Sequence, residues 1–224
     1  MEPDSALAGW TALDPGGPPT VTWARPASGS RIAVLPGAFD PPTNAHLDII
    51  AAVASDEGSA PVLCLTKVVL ARPADRLLSE PIRIRVLLDI AERLQMGLAF
   101  VNRATYLEVG RTFSRAGFEA TFAVGADKLE QLADPSFYPN GSSGVDATFD
   151  ELRFVVVPRN AIDAGSSHRA RDVRVLDPRD VFSDARTAAI SGTEVRRLLR
   201  SGRKITGLVP PEVVLALRGY TSAR

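Results

Sequence analysis

Apolar residues fall along the chain in two rhythms. Short unbroken runs of aliphatic and β-branched residues predict buried strands, and stretches with apolar positions every three or four residues predict helices. Strands are predicted at Ile32–Leu35, Pro61–Thr66, Leu98–Val101, Ala120–Val124 and Leu152–Val157, with one more short strand at Val173–Leu176. Helices are predicted at Ala45–Ala54, Leu107–Ala116, Ala126–Leu132, Ser191–Ser201 and Pro210–Leu217, and at Pro81–Leu94, where Ile82, Val86, Leu87, Ile90 and Leu94 make the apolar stripe. Strands that are apolar throughout suit a parallel sheet covered on both faces. Their alternation with helices predicts a doubly wound α/β architecture, a parallel sheet of about five strands with helices on both faces. Ligands of such sheets bind beyond the C-terminal strand ends, where the strand order reverses.

The pattern is lost at the start of the chain. Residues 1–30 are rich in Pro, Gly, Ala and Ser and read as an irregular arm that Trp10 and Trp23 pin to the rest. Residues 31–224 read as a single domain closed by the C-terminal helices. Two polar stretches, Pro135–Asp150 with its Asn140-Gly141-Ser142-Ser143-Gly144 and Asn160–Asp172, read as loop insertions.

Candidate chemistry gathers at the ends of predicted strands. Pro36-Gly37-Ala38-Phe39-Asp40-Pro41-Pro42-Thr43-Asn44-Ala45-His46 joins the first strand to the first helix. Such a turn aims backbone N–H groups and the positive end of a helix at whatever lies above the strand, and phosphate is the usual guest. His46 sits in the first helical turn, beside that place. In Ile190-Ser191-Gly192-Thr193-Glu194-Val195-Arg196, Ser191 is a natural N-cap and Glu194 would complete a capping box. Thr193 and Arg196 lie one turn apart and can reach one anion. Gly125-Ala126-Asp127 closes the fourth strand, with Gly125 allowing close backbone approach and Asp127 able to cap a helix or accept a ribose hydroxyl.

Charge narrows the partners. The formal net charge is +0, so nothing in it suggests nucleic acid or an anionic membrane as partner. Phosphate chemistry must then rest on local cations, and these are mostly Arg, with Lys67, Lys128 and Lys204 the only lysines. The single Cys64 lies in an apolar run and reads as a buried thiol of a reducing, cytoplasmic compartment. Two His and one Cys make a dedicated zinc site an unfavoured reading. No apolar run reaches membrane-spanning length.

The first motif resembles the signature Gly-x-Phe-Asp-Pro-x-(His/Thr)-x-Gly-His of the cytidylyltransferase-like nucleotidylyltransferase superfamily. Gly37, Phe39, Asp40, Pro41, Thr43 and His46 fit, and Ala45 stands where that family has Gly. Ser191, Thr193 and Arg196 fit its second signature, Ile-Ser-x-Thr-x-x-Arg. Gly-Ala-Asp at 125–127 and a tail ending in Arg218-Gly219-Tyr220 are most similar to nicotinate and nicotinamide mononucleotide adenylyltransferases. The resemblance implies a Rossmann-like sheet and nucleotidyl transfer from ATP to a phosphorylated small-molecule acceptor, with pyrophosphate released. It implies that Gly37, Ala38, Phe39, His46, Gly125, Asp127, Ser191, Thr193 and Arg196 bind ATP, with His46, Thr43 and Arg196 catalytic. By the same resemblance Lys67, Arg85 and Arg159 are candidates for the acceptor's phosphate, with Arg83 a rival to Arg85. Mg²⁺ would be held mainly by ATP phosphates, with few protein ligands; Asp40 either reaches it through water or serves the structure of the turn. Nicotinamide or nicotinate mononucleotide is the favoured acceptor; pantetheine phosphate, CTP as donor, and a catalytically weak nucleotide-binding regulator are the alternatives. A homo-oligomer is compatible with the sequence.

Overall fold

The computed structural model describes residues 2–68, 76–138, 140–158 and 173–221, without the side chains of residues 126, 127 and 219–221. The chain opens with helix α1 (Pro3–Ala12) and strand β1 (Val21–Arg25). Strands and helices then alternate: β2 (Arg31–Gly37), α2 (Asn44–Glu57), β3 (Ala60–Thr66), α3 (Glu80–Arg93), β4 (Gly97–Val101), α4 (Tyr106–Arg115), β5 (Glu119–Gly125) and α5 (Ala126–Leu132). After a 3-10 turn at Pro135–Phe137 come α6 (Ser142–Glu151), β6 (Arg153–Val157), β7 (Val173–Val175), the short α7 (Pro178–Val181) and α8 (Ala185–Ala188), α9 (Gly192–Arg200) and α10 (Pro211–Thr221).

All the strands join one sheet, ordered β1-β4-β3-β2-β5-β6-β7, and every pair is parallel except β1 with β4. Successive side chains of a strand point to opposite faces, so an all-apolar strand feeds two cores. Ala33 and Leu35 of β2 belong to one buried cluster, with Ile50 and Val53 of α2 and Leu87 and Ile90 of α3. Ile32 and Val34 belong to the other, with Val109 and Phe113 of α4 and Leu129 of α5. Helices therefore cover both faces of a Rossmann-like sheet. Thr43 and Thr105 start α2 and α4 with capping boxes, and Gly58 ends α2 in the left-handed region at φ 56.

The sheet has seven strands rather than about five, and residues 1–30 are not irregular. β1 adds an antiparallel edge strand, with Val21 opposite Val101 and Thr22 opposite Phe100. Trp10 is 2% exposed and meets Phe100 edge-on at 5.5 Å, while Trp23 leans on Phe113 and Phe118. Truncating a buried indole costs roughly 3–5 kcal/mol, which is ample reason for a Pro- and Gly-rich segment to adopt regular structure here. The Asn102 side chain fastens the link between α1 and β1, donating to the Asp14 and Pro18 carbonyls at 2.6 and 2.9 Å and accepting from Thr20 N–H at 2.9 Å.

Pro135–Asp150 is likewise not a plain loop, because α6 fills most of it. Its Gly and Ser residues hide the helical rhythm. Gly144 packs so closely on Tyr138 that a Cβ would lie 2.7 Å from that side chain, and Arg111 of α4 pairs with Glu151 at 2.5 Å.

Candidate active site

β2 and β5 are neighbours while β3 lies on the other side of β2, so the strand order reverses between β2 and β5. The turn after β2 is built at this point. Phe39 has φ 47, a value a bulky residue rarely adopts, and its buried ring is set edge-on to the His46 imidazole at 5.5 Å. A Cβ at Gly37 would meet the Phe39 ring at 3.1 Å, a tight contact that favours glycine there. Two arginines grip the turn: Arg83 donates from Nη1 to the Ala38 carbonyl at 3.0 Å, and Arg196 donates from Nη1 to the Asp40 carbonyl. The Asp40 carboxylate accepts from the backbone N–H of Leu77 at 3.0 Å and of Leu78 at 2.8 Å, so it is engaged within the protein.

The start of α2 settles the state of His46. Thr43 N–H donates to His46 Nδ1 at 3.0 Å, and Thr43 Oγ1 lies 2.8 Å from the same nitrogen. An amide N–H can only donate, so Nδ1 is an acceptor and the imidazole hydrogen sits on Nε2. Thr43 was expected to be catalytic, but it is fully buried and its hydroxyl serves the imidazole; it positions His46 and does not line the main cleft. Ala45 lies in regular helix without a positive φ, so a methyl there costs no backbone strain.

α9 brings the second motif to the first. Ser191 caps it, accepting from Glu194 N–H at 3.1 Å. The Glu194 side chain does not complete the capping box; it forks onto Arg197 at 2.7 and 2.6 Å. Arg196 bridges the motifs, with Nη2 on Thr193 Oγ1 at 3.0 Å and Nη1 on the Asp40 carbonyl. The backbone approach is equally close, since a Cβ at Gly192 would lie 3.4 Å from the Asp40 and Pro41 carbonyl oxygens.

Above this junction lies a cleft of about 390 Å³, lined by Gly37, Ala38, Phe39, His46, Gly192, Thr193 and Arg196. A smaller chamber of about 140 Å³ adjoins it and shares Pro36, His46, Tyr106 and Lys128; Thr43, Ala45, Gly125, Phe182 and Ile190 are also in its wall. Of the expected nucleotide-binding residues, Ser191 acts as cap, Gly125 lies in the small chamber, and the Asp127 side chain is outside the described residues. Among the described residues the cleft is cationic although the protein is neutral: Arg76, Arg83, Lys128 and Arg196 face it, with the engaged Asp40 as the one carboxylate. Such a surface suits a polyanion.

The expected acceptor cations are placed differently. Lys67 donates to the Trp10 carbonyl at 2.8 Å with its ammonium 4.6 Å over the Trp10 ring, because the C-terminal end of α1 attracts a cation. Arg85 is exposed and faces Asp89, while Arg83, on the inward side of the same helix, is the one at the cleft. Arg159 lies outside the described residues. Arg83 was expected only as a rival to Arg85, and Arg76, Lys128, Tyr106 and Tyr138 were not among the expected site residues. One signal was readable: Arg83 stands four residues before Leu87, in line with the apolar stripe of α3.

A half-buried acid flanks the site on α2. Burial first, then the Asp184 carboxylate, push the Asp48 carboxyl above its ordinary range, against a hydrogen bond from the Ser183 backbone. A carboxyl raised in the folded state penalises folding while ionised, and the penalty fades as pH falls through the raised value. Asp48→Asn should therefore raise Tm at pH 7, on the order of 1–2 °C, with the gain shrinking towards pH 4. Thermal melts across that range check it, and a gain independent of pH counts against the cause given.

These two motifs, brought together at the switch point, sit inside the region that a family model for cytidylyltransferase-like proteins matches, residues 34–198. The chain belongs to the cytidylyltransferase-like family. As a cytidylyltransferase-like protein it is a nucleotidyltransferase. No curated protein matches it. Among solved structures it is similar to the Plasmodium falciparum nicotinic acid mononucleotide adenylyltransferase complexed with NaAD, at TM-score 0.60 and 14% identity over 86% of this chain and 96% of that one. A Vibrio parahaemolyticus protein described as a candidate nicotinate-nucleotide adenylyltransferase is similar at TM-score 0.49 and 16% identity, over 85% of this chain and 93% of that one. The likeness to the Plasmodium protein is one of fold.

Proposed function

We propose that the chain transfers the adenylyl group of ATP to the phosphate of nicotinate or nicotinamide mononucleotide, a step of NAD synthesis. The observation that carries this reading is the junction of the two motifs, where Arg196 ties Thr193 to the Asp40 carbonyl beside a His46 whose Nε2 carries hydrogen. Support for the acceptor comes from the Plasmodium protein, a nicotinic acid mononucleotide adenylyltransferase complexed with NaAD. Support also comes from the aromatic side chains at the cleft, Tyr106, Phe137 and Tyr138, which suit an aromatic base.

An oxygen of the acceptor's phosphate attacks the α-phosphorus of ATP. The new P–O bond forms as the bond to the bridging oxygen breaks, and pyrophosphate leaves with that electron pair. The nucleophile is anionic at neutral pH, so no strong base is required, and catalysis rests on alignment and on stabilising shifting charge. His46 Nε2–H donates to the α-phosphate. Thr193, Arg196 and the N-terminus of α9 hold the leaving phosphates. Among the described residues Asp40 is the one carboxylate lining the cleft, where two amides engage it, and they form no cluster of three His, Cys, Asp or Glu. In this reading Mg²⁺ arrives with the substrate as MgATP.

The test is pyrophosphate release with MgATP or MgCTP crossed with nicotinate mononucleotide, nicotinamide mononucleotide and phosphopantetheine, with products identified by mass. A dinucleotide from ATP and a nicotinoid mononucleotide is the expected result. Dephospho-coenzyme A, a cytidylylated product or silence across all pairs overturns the reading.

A further inference from the structure

We infer that Lys128 is a further catalytic residue, whose ammonium meets the α-phosphate from the β5 side of the crevice, across from His46 on the β2 side. The inference rests on the proposed reaction, in which a nucleotide is cleaved at its α-phosphorus. Lys128 follows the Gly125-Ala126-Asp127 motif and is no part of it.

The two cavities share a wall. Among the described residues, Pro36, His46, Tyr106 and Lys128 line both. In the proposed reaction the departing phosphates lie at Thr193 and Arg196 in the cleft, and the nucleoside lies by Gly125 in the smaller chamber. The α-phosphate joins the two and therefore passes the shared wall. The sheet brings His46 and Lys128 there from opposite sides. β2 and β5 pair in register from Arg31 opposite Glu119 to Val34 opposite Phe122, and they end level with one another at Gly37 and Gly125. His46 is the third residue of α2, and Lys128 is the third residue of α5.

Charge decides what is missing at that wall. His46 presents a neutral donor, because its Nδ1 accepts from Thr43 N–H. The α-phosphate and the attacking phosphate are both anionic, and a neutral donor leaves their charge uncompensated. Arg76, Arg83 and Arg196 line the cleft alone, so among the described residues Lys128 is the one cation of the shared wall. Its ammonium donates to Gln131 Oε1 at 2.8 Å, an amide that holds it without neutralising it. An ammonium has three N–H groups, so a phosphate oxygen can take another. The side chain is exposed and its stem flexible, so the charge stays hydrated until substrate arrives and then turns onto the phosphate. The acceptor oxygen bonds to the α-phosphorus as the bond to the bridging oxygen breaks, and pyrophosphate leaves with that electron pair. Lys128 keeps all its protons and stabilises charge on the α-phosphate oxygens throughout.

The experiment uses the full chain with Lys128→Gln, Lys128→Arg and Lys128→Cys. Lys204→Gln is the control, since Lys204 is exposed and lines neither cavity. Thermal melts and the affinity for a non-hydrolysable ATP analogue verify folding. Lys128→Gln should lower kcat about thirtyfold or more, the scale of a lost charge-assisted hydrogen bond, with KM for each reactant within about threefold. Lys128→Arg should keep part of kcat, and Lys204→Gln should match wild type. Aminoethylation of Lys128→Cys rebuilds an ammonium at that place and should recover turnover; the one native thiol, Cys64, is buried and does not compete. A kcat of Lys128→Gln within about threefold of wild type, a rise in KM at unchanged kcat, or a loss that aminoethylation does not restore overturns the proposal. The comparison uses whichever acceptor reacts, so a failed nicotinoid assignment leaves it standing. If no pair reacts, the proposed reaction fails separately, and inorganic phosphate titrated with the ATP analogue bound reads the shared wall instead. Phosphate binding about threefold or more weaker in Lys128→Gln then supports the proposal, and equal binding overturns it.

Discussion

His46→Ala is expected to lower kcat by about 10²–10³, which corresponds to about 2–4 kcal/mol of barrier, the scale for removing one donor aimed at developing charge. The assignment is specific because Thr43 N–H holds Nδ1 as an acceptor and so leaves the imidazole hydrogen on Nε2. The substitution removes more than a donor, however. The ring also completes the capping box of α2, so the variant should lose stability as well, about 1 kcal/mol. Rates are therefore compared well below the melting temperature of the variant. His46→Gln separates the roles, because a carboxamide can accept from Thr43 at one atom and donate from the other. Recovery of a substantial part of kcat in the Gln variant supports a neutral donor. Equal loss in both variants would point to a role only imidazole fills, and turnover of His46→Ala within threefold of wild type would remove His46 from the mechanism.

How far the sequence leads depends on the distance over which a residue finds its partner. The core of the sheet was legible because each strand declares itself locally, and the two motifs were legible because each is a short turn leading into a capped helix. The edge strand β1 was not, since its Val21-Thr22-Trp23 run is short, lies among Pro and Gly, and becomes a strand only against β4, with Val21 opposite Val101. Lys67 follows β3 where a phosphate ligand was expected, but its partner is the Trp10 carbonyl, 57 residues earlier. Arg83 and Arg85 could not be separated by motif matching, and the rotation of α3 puts Arg83 at the cleft and leaves Arg85 exposed. Thr43 illustrates a subtler limit: its place in the motif was right, yet its hydroxyl is turned to the imidazole and away from the cleft.

Arg196→Ala is expected to reduce kcat/KM for ATP by about 10²-fold or more, combining a lost charged contact of about 1.5–3 kcal/mol with a loosened junction of the two motifs. The side chain uses two nitrogens at once, Nη1 on the Asp40 carbonyl and Nη2 on Thr193 Oγ1. Lys carries the charge but lacks the planar fork, so Arg196→Lys should recover only part of the loss. A purely structural clamp and a phosphate ligand make different predictions for the product. If Arg196 holds the departing phosphates, inhibition by pyrophosphate must weaken in Arg196→Ala by a factor comparable to the loss in ATP binding, because both ligands present the same oxygens. If Arg196 merely braces the Asp40 turn, kcat falls while the inhibition constant for pyrophosphate stays near its wild-type value. Measuring that constant beside kcat and KM therefore decides whether the bridge between the motifs is itself part of the chemistry.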